Sequence, residues 1–573
     1  MADSRNSVAH RPMKIPQDYS DWFLQFKKSE EYEILVTHPV AYFCAEYALD
    51  SILPTYAGGL GVLAGDFVRE AAVQSFPLVA VGLFYRKAQS TLSVAGGNKD
   101  SKLRLFLDLN QVPVVVSLPL EGRIVSARAW HWEDSTGAQV YLLDTDVPEN
   151  DPRDRDITKN LYDEDRDIRL KQEIILGIGG FRLLARIGYH ASVYHLNEGH
   201  SAFLALELVR HEMEHQRANF LDACNFAKKH ILFTNHTLVP EGQEQFFTDK
   251  VSLFMTQYAK EMGITGADIA KLGAMESDPN IFSMTTLSFK LSSKSNAVSR
   301  FHSEKALKIW PNEAINNVTN GVFAGRWDKI DSASDLDIWK CHLANKRKLL
   351  RLVEEGSGEV WGETDLICVW ARRLVNYKQP LLFLENTDKI LAIAKKSSVP
   401  IRLIFSGPTG GERENPYEEK IKKIIAEKLP GLAVFLPHYS TDLAEVLTAG
   451  ADVWLNTPLP GTEACGTSGM KAGLNGALAL SLRDGWVHEI EPADIGWVAS
   501  DLPKEDLFSL LEYKIIPLYD QHLKNPAASV WLTKMQSVRN FILTNFSTSR
   551  VLAEYIEKLY VPILRQKHAH KID

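Results

Sequence analysis

Short apolar runs recur along this chain, each followed by a longer stretch with the period of an amphipathic helix. In the first half VAYFCAE, PLVAVGLFY, QVYLLDT, ASVYHLN and HILFTNH read as buried strands. Stretches such as DRDIRLKQEIILGIGGFRLLARIG and SAFLALELVRHEMEHQ separate them. In the second half LICVWAR, IRLIFSG, LAVFLPH and DVWLNTP repeat the pattern. Runs that are apolar throughout suit strands covered on both faces, and the intervening helices supply the cover. The alternation predicts an α/β protein with parallel sheets. At 573 residues the chain exceeds what one core holds, so two large domains are expected. The break is placed near 323–345, where the sequence turns polar. The stretch SVRNFILTNFSTSRVLAEYIEKLY reads as helical and able to cross back onto the first domain. Two such domains put a ligand cleft between them, at the carboxyl ends of the strands.

Composition narrows the function. A net charge of −8 lacks the basic footprint of a general nucleic-acid binder. The five cysteines, Cys44, Cys224, Cys341, Cys368 and Cys465, form no CxxC pair and read as reduced thiols of a cytosolic compartment. The opening MADSRNSVAHRPMKIPQDYSDW has no apolar core of a signal peptide, and no run approaches the roughly 18 apolar residues of a membrane span. A cytoplasmic protein without a membrane partner is expected.

Four stretches could carry chemistry. In TYAGGLGVLAGDFVREAA, Gly58, Gly59 and Gly61 precede a helical pattern, which suits either anion binding by backbone amides or a tight connection. In VWARRLVNYKQPLL, Arg372, Arg373 and Lys378 follow a strand, as phosphate ligands or as surface charge. In GTEACGTSGMKAGLNGALALSLRDGW, SGMKAGLNGALALSL reads as a helix of small residues. Gly466, Thr467 and Ser468 then lie near its N-terminus, with Lys471 one turn further in. That lysine is a solvated helix residue or, if burial lowers its pKa, an amine fit for a Schiff base. A lysine beside a phosphate cradle is also the minimum kit for pyridoxal phosphate. Finally, HLNEGHSAF and FTNHTLVPEGQEQF place Asn197, Glu198, His200 and His236 after strands, as ligand contacts or as strand-end caps. Two metal-like patterns are set aside. HEMEH at 211–215 fits the helical zinc pattern but signals no third ligand, and YDEDRDIRLKQE at 162–173 reads as a charged helix start.

Together these stretches resemble the α-glucan phosphorylases, above all their short bacterial members. The family's cofactor signature, Glu-Ala-Ser-Gly-Thr-Ser-(Asn/Gly)-Met-Lys followed by Leu-Asn-Gly-Ala-Leu, is matched by Glu463 to Lys471 and Leu474 to Leu478. AYFCAEYAL, YAGGLGVLAGD, HLNEGHSAF, FTNHTLVPE, VTNGV, RRLVNYK and DGW occur in the family's order between about residues 40 and 490. The resemblance implies the glycosyltransferase B fold, two Rossmann-like domains with a catalytic cleft between them. The domains would span 1–325 and 326–545, with 546–573 as a helix crossing back. It implies pyridoxal 5′-phosphate held as a Schiff base on Lys471, its phosphate touched by Gly466, Thr467, Ser468 and Arg372. The reaction implied is reversible phosphorolysis of α-1,4-glucan by inorganic phosphate, giving α-glucose 1-phosphate with retention. The cofactor phosphate would serve as acid and base.

Residue by residue, the resemblance assigns Arg373 and Lys378 to the substrate phosphate, with backbone donors from Gly58, Gly59 and Gly61. It places the His236 carbonyl opposite the oxocarbenium-like sugar. Asn320 and Glu463 fall on glucose hydroxyls, and Glu198 and His200 line the cleft. Dimerisation is common in the family, though no stretch here signals it. The chain departs from the pattern at Cys465 (commonly serine), at YRKAQSTLSVAGG from Tyr85, at Tyr162-Asp-Glu-Asp165 (commonly Tyr-Gly-Gly-Asp) and at Phe323 (often histidine). Two alternatives stay open. A nucleotide-sugar glycosyltransferase of the glycogen-synthase kind lacks a lysine at the Lys471 position and usually carries one where this chain has Tyr56. A catalytically weak glucan-binding homologue would not require Lys471, Arg373 and Lys378.

Overall fold

The computed structural model describes residues 19–50, 53, 55–86, 102–238, 243–330, 338–408, 415–499 and 503–568. Most of the opening segment, residues 87–97 after Tyr85, residues 239–242 and part of the polar break at 331–337 lie outside the described residues.

Two large sheets organise the chain. The first contains β1 (Val40–Phe43), β2 (Leu78–Leu83), β3 (Leu103–Leu105), β4 (Val115–Leu120), β5 (Arg123–Glu133), β6 (Gln139–Asp144), β7 (Val193–Asn197) and β8 (Ile231–Asn235). After a small antiparallel pair, β9 (Gln245–Phe247) and β10 (Ile281–Ser283), β11 (Lys294–Ala297) and β12 (Ile315–Asn317) complete it. Its order is β12-β11-β8-β7-β1-β2-β6-β5-β3, with β4 on β5. From β12 to β6 neighbours run parallel; around β5 they run antiparallel. The expectation of a purely parallel sheet is corrected here. From Ile124 to His131 buried positions alternate with less buried ones, the pattern of a strand with one partly solvated face.

The second sheet is parallel throughout: β13 (Leu366–Ala371), β14 (Ile401–Ser406), β15 (Ala433–Leu436), β16 (Val453–Asn456), β17 (Leu478–Ser481) and β18 (Gly496–Val498), in the order β15-β14-β13-β16-β17-β18. β17 overturns the reading of SGMKAGLNGALALSL as one helix. The helix spans Ser468–Leu474 and stops at an Asn475–Gly476 turn, with Gly476 at φ +83°. The Asn475 side chain donates to the Lys471 and Trp327 carbonyls (2.9 and 2.7 Å), spending itself on the helix end.

Both sheets are covered on two faces. On β1, Ala41 and Phe43 enter one apolar layer while Val40 and Tyr42 enter the opposite one. Side chains of that size contribute roughly 1.5–3 kcal/mol each when buried. The second layer is closed by the helical segment 548–568, whose Val551, Leu552, Leu559 and Ile563 pack with Tyr42 and Phe67. His195 of β7 stitches the two together, with Nδ1 2.8 Å from the Tyr560 hydroxyl and Nε2 2.7 Å from Thr234 Oγ1. Burial holds this imidazole well below its ordinary pKa, so it sits there neutral.

Each sheet has one point where successive connections leave in opposite directions, between β1 and β7 in the first and between β13 and β16 in the second. Loops at such switch points open a crevice at the carboxyl ends of the strands. All four candidate stretches leave from β1, β7, β8, β13 or β16. Among the described residues no helix is long and apolar enough to cross a membrane.

Candidate active site

The glycine loop follows β1 and opens the helix Gly59–Val73, with Gly58 as its N-cap. A Cβ built on Gly58 would lie 3.7 Å from Arg373 Nη2, so the loop of the first sheet faces the cations of the second. Gly61 admits no side chain, because a Cβ there would come within 2.6 Å of Tyr56 Cβ. The Tyr56 hydroxyl accepts the Thr441 amide (3.2 Å), a further tie between the two halves.

Arg372 and Arg373, adjacent after β13, differ in setting. Arg373 is exposed and makes no ion pair among the described residues. Arg372 is buried; its Nη2 donates to Glu463 Oε2 (2.7 Å), and its buried Nη1 meets no acceptor among the described residues. Lys378 donates to the same carboxylate oxygen. Burial alone would lift the Glu463 carboxyl, but Lys378 and Arg372 outweigh it and hold the group down to about 2. Burial and Arg372 draw the Lys378 ammonium down to about 7, with Glu463 resisting the fall. Gly466 closes this cluster, since a Cβ there would meet Arg372 Nη2 and Glu463 Oε1, each at 2.8 Å.

Lys471 is not the solvated helix residue that its spacing allows. It is buried, with Nζ 3.9 Å from the Trp327 ring centroid and no hydrogen bond among the described residues. Burial pulls its ammonium down to about 8, against the nearby Asp66 carboxylate. Trp327 is fixed in turn by its Nε1 donating to Asp66 Oδ2 (2.6 Å). Of the neighbouring residues, Ser468 Oγ accepts from Trp454 Nε1 (3.3 Å) and the Gly466 carbonyl from Trp486 Nε1 (3.1 Å). Thr467 caps the short helix without a side-chain bond.

At the ends of β7 and β8, Glu198 takes a left-handed backbone (φ +74°) and accepts the His236 amide (2.7 Å). Burial pushes its carboxyl up to about 7 against the opposing amide bonds. His236 Nε2 lies 2.7 Å from Asn197 Oδ1, and burial draws the ring down to about 3, so it is a neutral donor to that oxygen. His200 is buried and held down to about 4, with Nδ1 unpartnered. The Asn320 carbonyl accepts from Arg550 (3.1 Å). No contact joins the Asn320 side chain, Gly59 or the His236 carbonyl to the remaining candidates among the described residues.

Three contributors went unread in the sequence. Glu46 accepts the Ala57 and Gly58 amides of the glycine loop. Asp484, from the DGW block, accepts the Thr462, Glu463 and Gly485 amides and so fixes the Glu463 loop. Asn235, beside His236, has both side-chain polar atoms buried and unpartnered. All three lie in blocks that carry the resemblance, AYFCAEYAL, DGW and FTNHTLVPE, yet none stood out there as a site residue. The metal-like patterns also resolve. The His211 and His215 rings stack at 4.0 Å, and His215 Nδ1 bonds the His211 carbonyl. Glu173, His200 and Glu244 lie close enough to share an ion, but Arg169 already contacts both carboxylates (3.0 and 2.9 Å). A guanidinium there opposes a divalent cation.

An α/β chain with a buried free amine, and with a cation cluster facing a glycine-opened helix across two switch points, is built to handle anions. Its class is that of enzymes with an anion-binding cleft. Residues 149–337 and 330–496 match the carbohydrate phosphorylase family model. The maltodextrin phosphorylase of Thermococcus litoralis is 34% identical, over 94% of this chain and 72% of its own. The glycogen phosphorylase of Aquifex aeolicus is 30% identical over 96% and 90%. That of Mycobacterium tuberculosis strain H37Rv is 31% identical over 91% and 71%. The chain belongs to the carbohydrate phosphorylase family.

Proposed function

We propose that this enzyme is an α-glucan phosphorylase, transferring a glucosyl unit between an α-1,4-glucan and inorganic phosphate with retention at the anomeric carbon. The observation that carries the reading is the pairing of a buried, hydrogen-bond-free lysine amine with a cation cluster at the switch point of the same sheet. The two sheets correspond to the Rossmann-like domains of a glycosyltransferase B fold, divided as 1–325 and 326–545, with 546–573 returning to the first.

The residues fit pyridoxal phosphate. Lys471 offers an amine whose ammonium burial disfavours, and Arg372 keeps a buried donor, Nη1, for an anion. Gly466, Thr467 and Ser468 complete the set that would hold the group. When bound it supplies a second phosphate able to exchange a proton with the substrate phosphate. The chain's own residues do the rest. Arg373, open to the cleft, binds inorganic phosphate, and the first amides of the helix Gly59–Val73 add donors with the helix dipole behind them. Lys378, held by Glu463, places its amino group near the leaving and entering oxygens. Glu463 Oε1 accepts from no side chain among the described residues, which leaves it for a glucose hydroxyl. His236, neutral with Nε2 spent on Asn197, is excluded as a proton carrier through that nitrogen and serves through its carbonyl.

Incubating the protein with α-1,4-glucan and inorganic phosphate should yield α-glucose 1-phosphate. Transfer from a nucleotide sugar, with no phosphate-dependent product, would overturn the reading in favour of a synthase. A second expectation concerns pH. The neutral amine of Lys471 is the form that bonds an aldehyde, and its population rises as pH climbs through about 8. At pH 7 about a tenth of it is neutral, against well under a thousandth for an ordinary lysine. Borohydride trapping of pyridoxal phosphate on the cofactor-free protein should therefore rise to a midpoint near pH 8, and a midpoint above 10 would contradict the burial argument.

A further inference from the structure

Glu46, which none of the roles above uses, sits beneath the glycine loop. It lies just past β1 and is 3% exposed. Its Oε2 accepts the amides of Ala57 (2.6 Å) and Gly58 (3.1 Å), and its Oε1 accepts the Tyr162 hydroxyl (2.8 Å). No cation pairs with it among the described residues, so both oxygens are committed to holding chain in place. The first amides of a helix have no partners inside it. With Ala57 and Gly58 turned inward, Gly59 and Leu60 become the next donors in line, at the end of the helix that favours an anion. Arg373 stands on the outer side of the loop, 3.7 Å from where a Gly58 Cβ would be. On the inner side, a Cβ on Gly61 would lie 3.0 Å from Glu46 Oε2, so carboxylate and helix are in direct contact.

Tyr162 is itself fixed. Arg169 lies over its ring at 4.9 Å, the His200 ring is 5.8 Å away, and its backbone is left-handed at φ +53°. Burial and the Glu46 charge push its phenol well above the ordinary range, so it remains a donor.

We propose that Glu46, anchored by Tyr162, is the positioning residue of the glycine loop, aiming the first amides of the helix Gly59–Val73 at the phosphate that Arg373 faces. This rests on the phosphorolysis reading. It separates a group that shapes the phosphate site from the groups that touch phosphate.

The test is steady-state kinetics on the full-length holoenzyme. Glu46→Ala should raise KM for phosphate about tenfold or more and lower kcat, while KM for glucan shifts less than about twofold. Glu46→Gln keeps a carbonyl for the two amides and can turn its NH₂ toward the Tyr162 oxygen, so it should recover most of the loss. Tyr162→Phe removes one hydroxyl and should give a smaller, phosphate-selective loss of about threefold; it decides the matter if Glu46→Ala does not fold. An unchanged phosphate KM in these variants, an equal rise for glucan, or a Gln variant as inactive as the Ala variant would overturn the proposal. Hydrogen–deuterium exchange of residues 55–62 needs no substrate. Faster exchange in Glu46→Ala, or in Tyr162→Phe, supports the positioning role even if the wild type proves not to be a phosphorylase, and unchanged exchange refutes it.

Discussion

Lys471→Ala is expected to give a folded protein that carries no pyridoxal phosphate and has lost at least about a thousandfold in phosphorolysis. The substitution removes the one buried amine that makes no hydrogen bond among the described residues and leaves the Arg372–Glu463–Lys378 contacts untouched. Stability should change little. An unpartnered buried ammonium costs free energy to bury, and its loss offsets the contacts that the stem gives up against Trp327. Absorbance of the purified protein, kcat and Tm measured together make the check. A variant that still phosphorolyses glucan at the wild-type rate would remove the lysine from the chemistry altogether.

Arg373→Ala carries the second-largest expectation, a fall in kcat/KM for phosphate of about a thousandfold, or roughly 4 kcal/mol of transition-state stabilisation. The side chain is exposed and supports nothing else among the described residues, so Tm should stay within a degree or so. The contrast with Arg372 is instructive. Its guanidinium is buried on Glu463, and its removal would strand a carboxylate as well as remove a ligand. If Arg373→Ala kept normal phosphate kinetics, the cation facing the glycine loop would be an ornament of the surface, and Lys378 would have to bind phosphate alone.

Much of this architecture was legible because apolar runs such as LICVWAR and VAYFCAE have no alternation, and strands of that kind belong in doubly covered parallel sheets. The antiparallel edge was missed where alternation replaced continuity, at Arg123–Glu133. Arg372, Arg373 and Lys378 stood out as cations at the carboxyl end of an apolar strand, and Lys471 as a lone charge in a run of small residues. Glu46 and Asp484 did not. An acid in AYFCAEYAL or RDGW looks like a cap, and Glu46 gains its meaning only from Tyr162, far away in sequence. SGMKAGLNGALALSL misled because small residues suit helix and buried strand alike; the side chain of Asn475, bonding back to Lys471, decides where one becomes the other.

The segment 548–568 bears on how the protein is made. Its apolar residues complete the layer that Val40 and Tyr42 begin, and the Tyr560 hydroxyl meets His195 within it. During synthesis the early strands therefore emerge with that face covered only in part, by residues such as Phe23, Leu35, Phe67 and Val68. The cover is complete only once residues 551–564 have been made. The second sheet is also closed late, by Trp531 and Ile542 against Trp370 and Leu455, but before residues 551–564 are reached. The half that is translated first is thus the one whose cover is completed last, and a chain cut between residues 545 and 551 would leave the first sheet rather than the second incompletely covered.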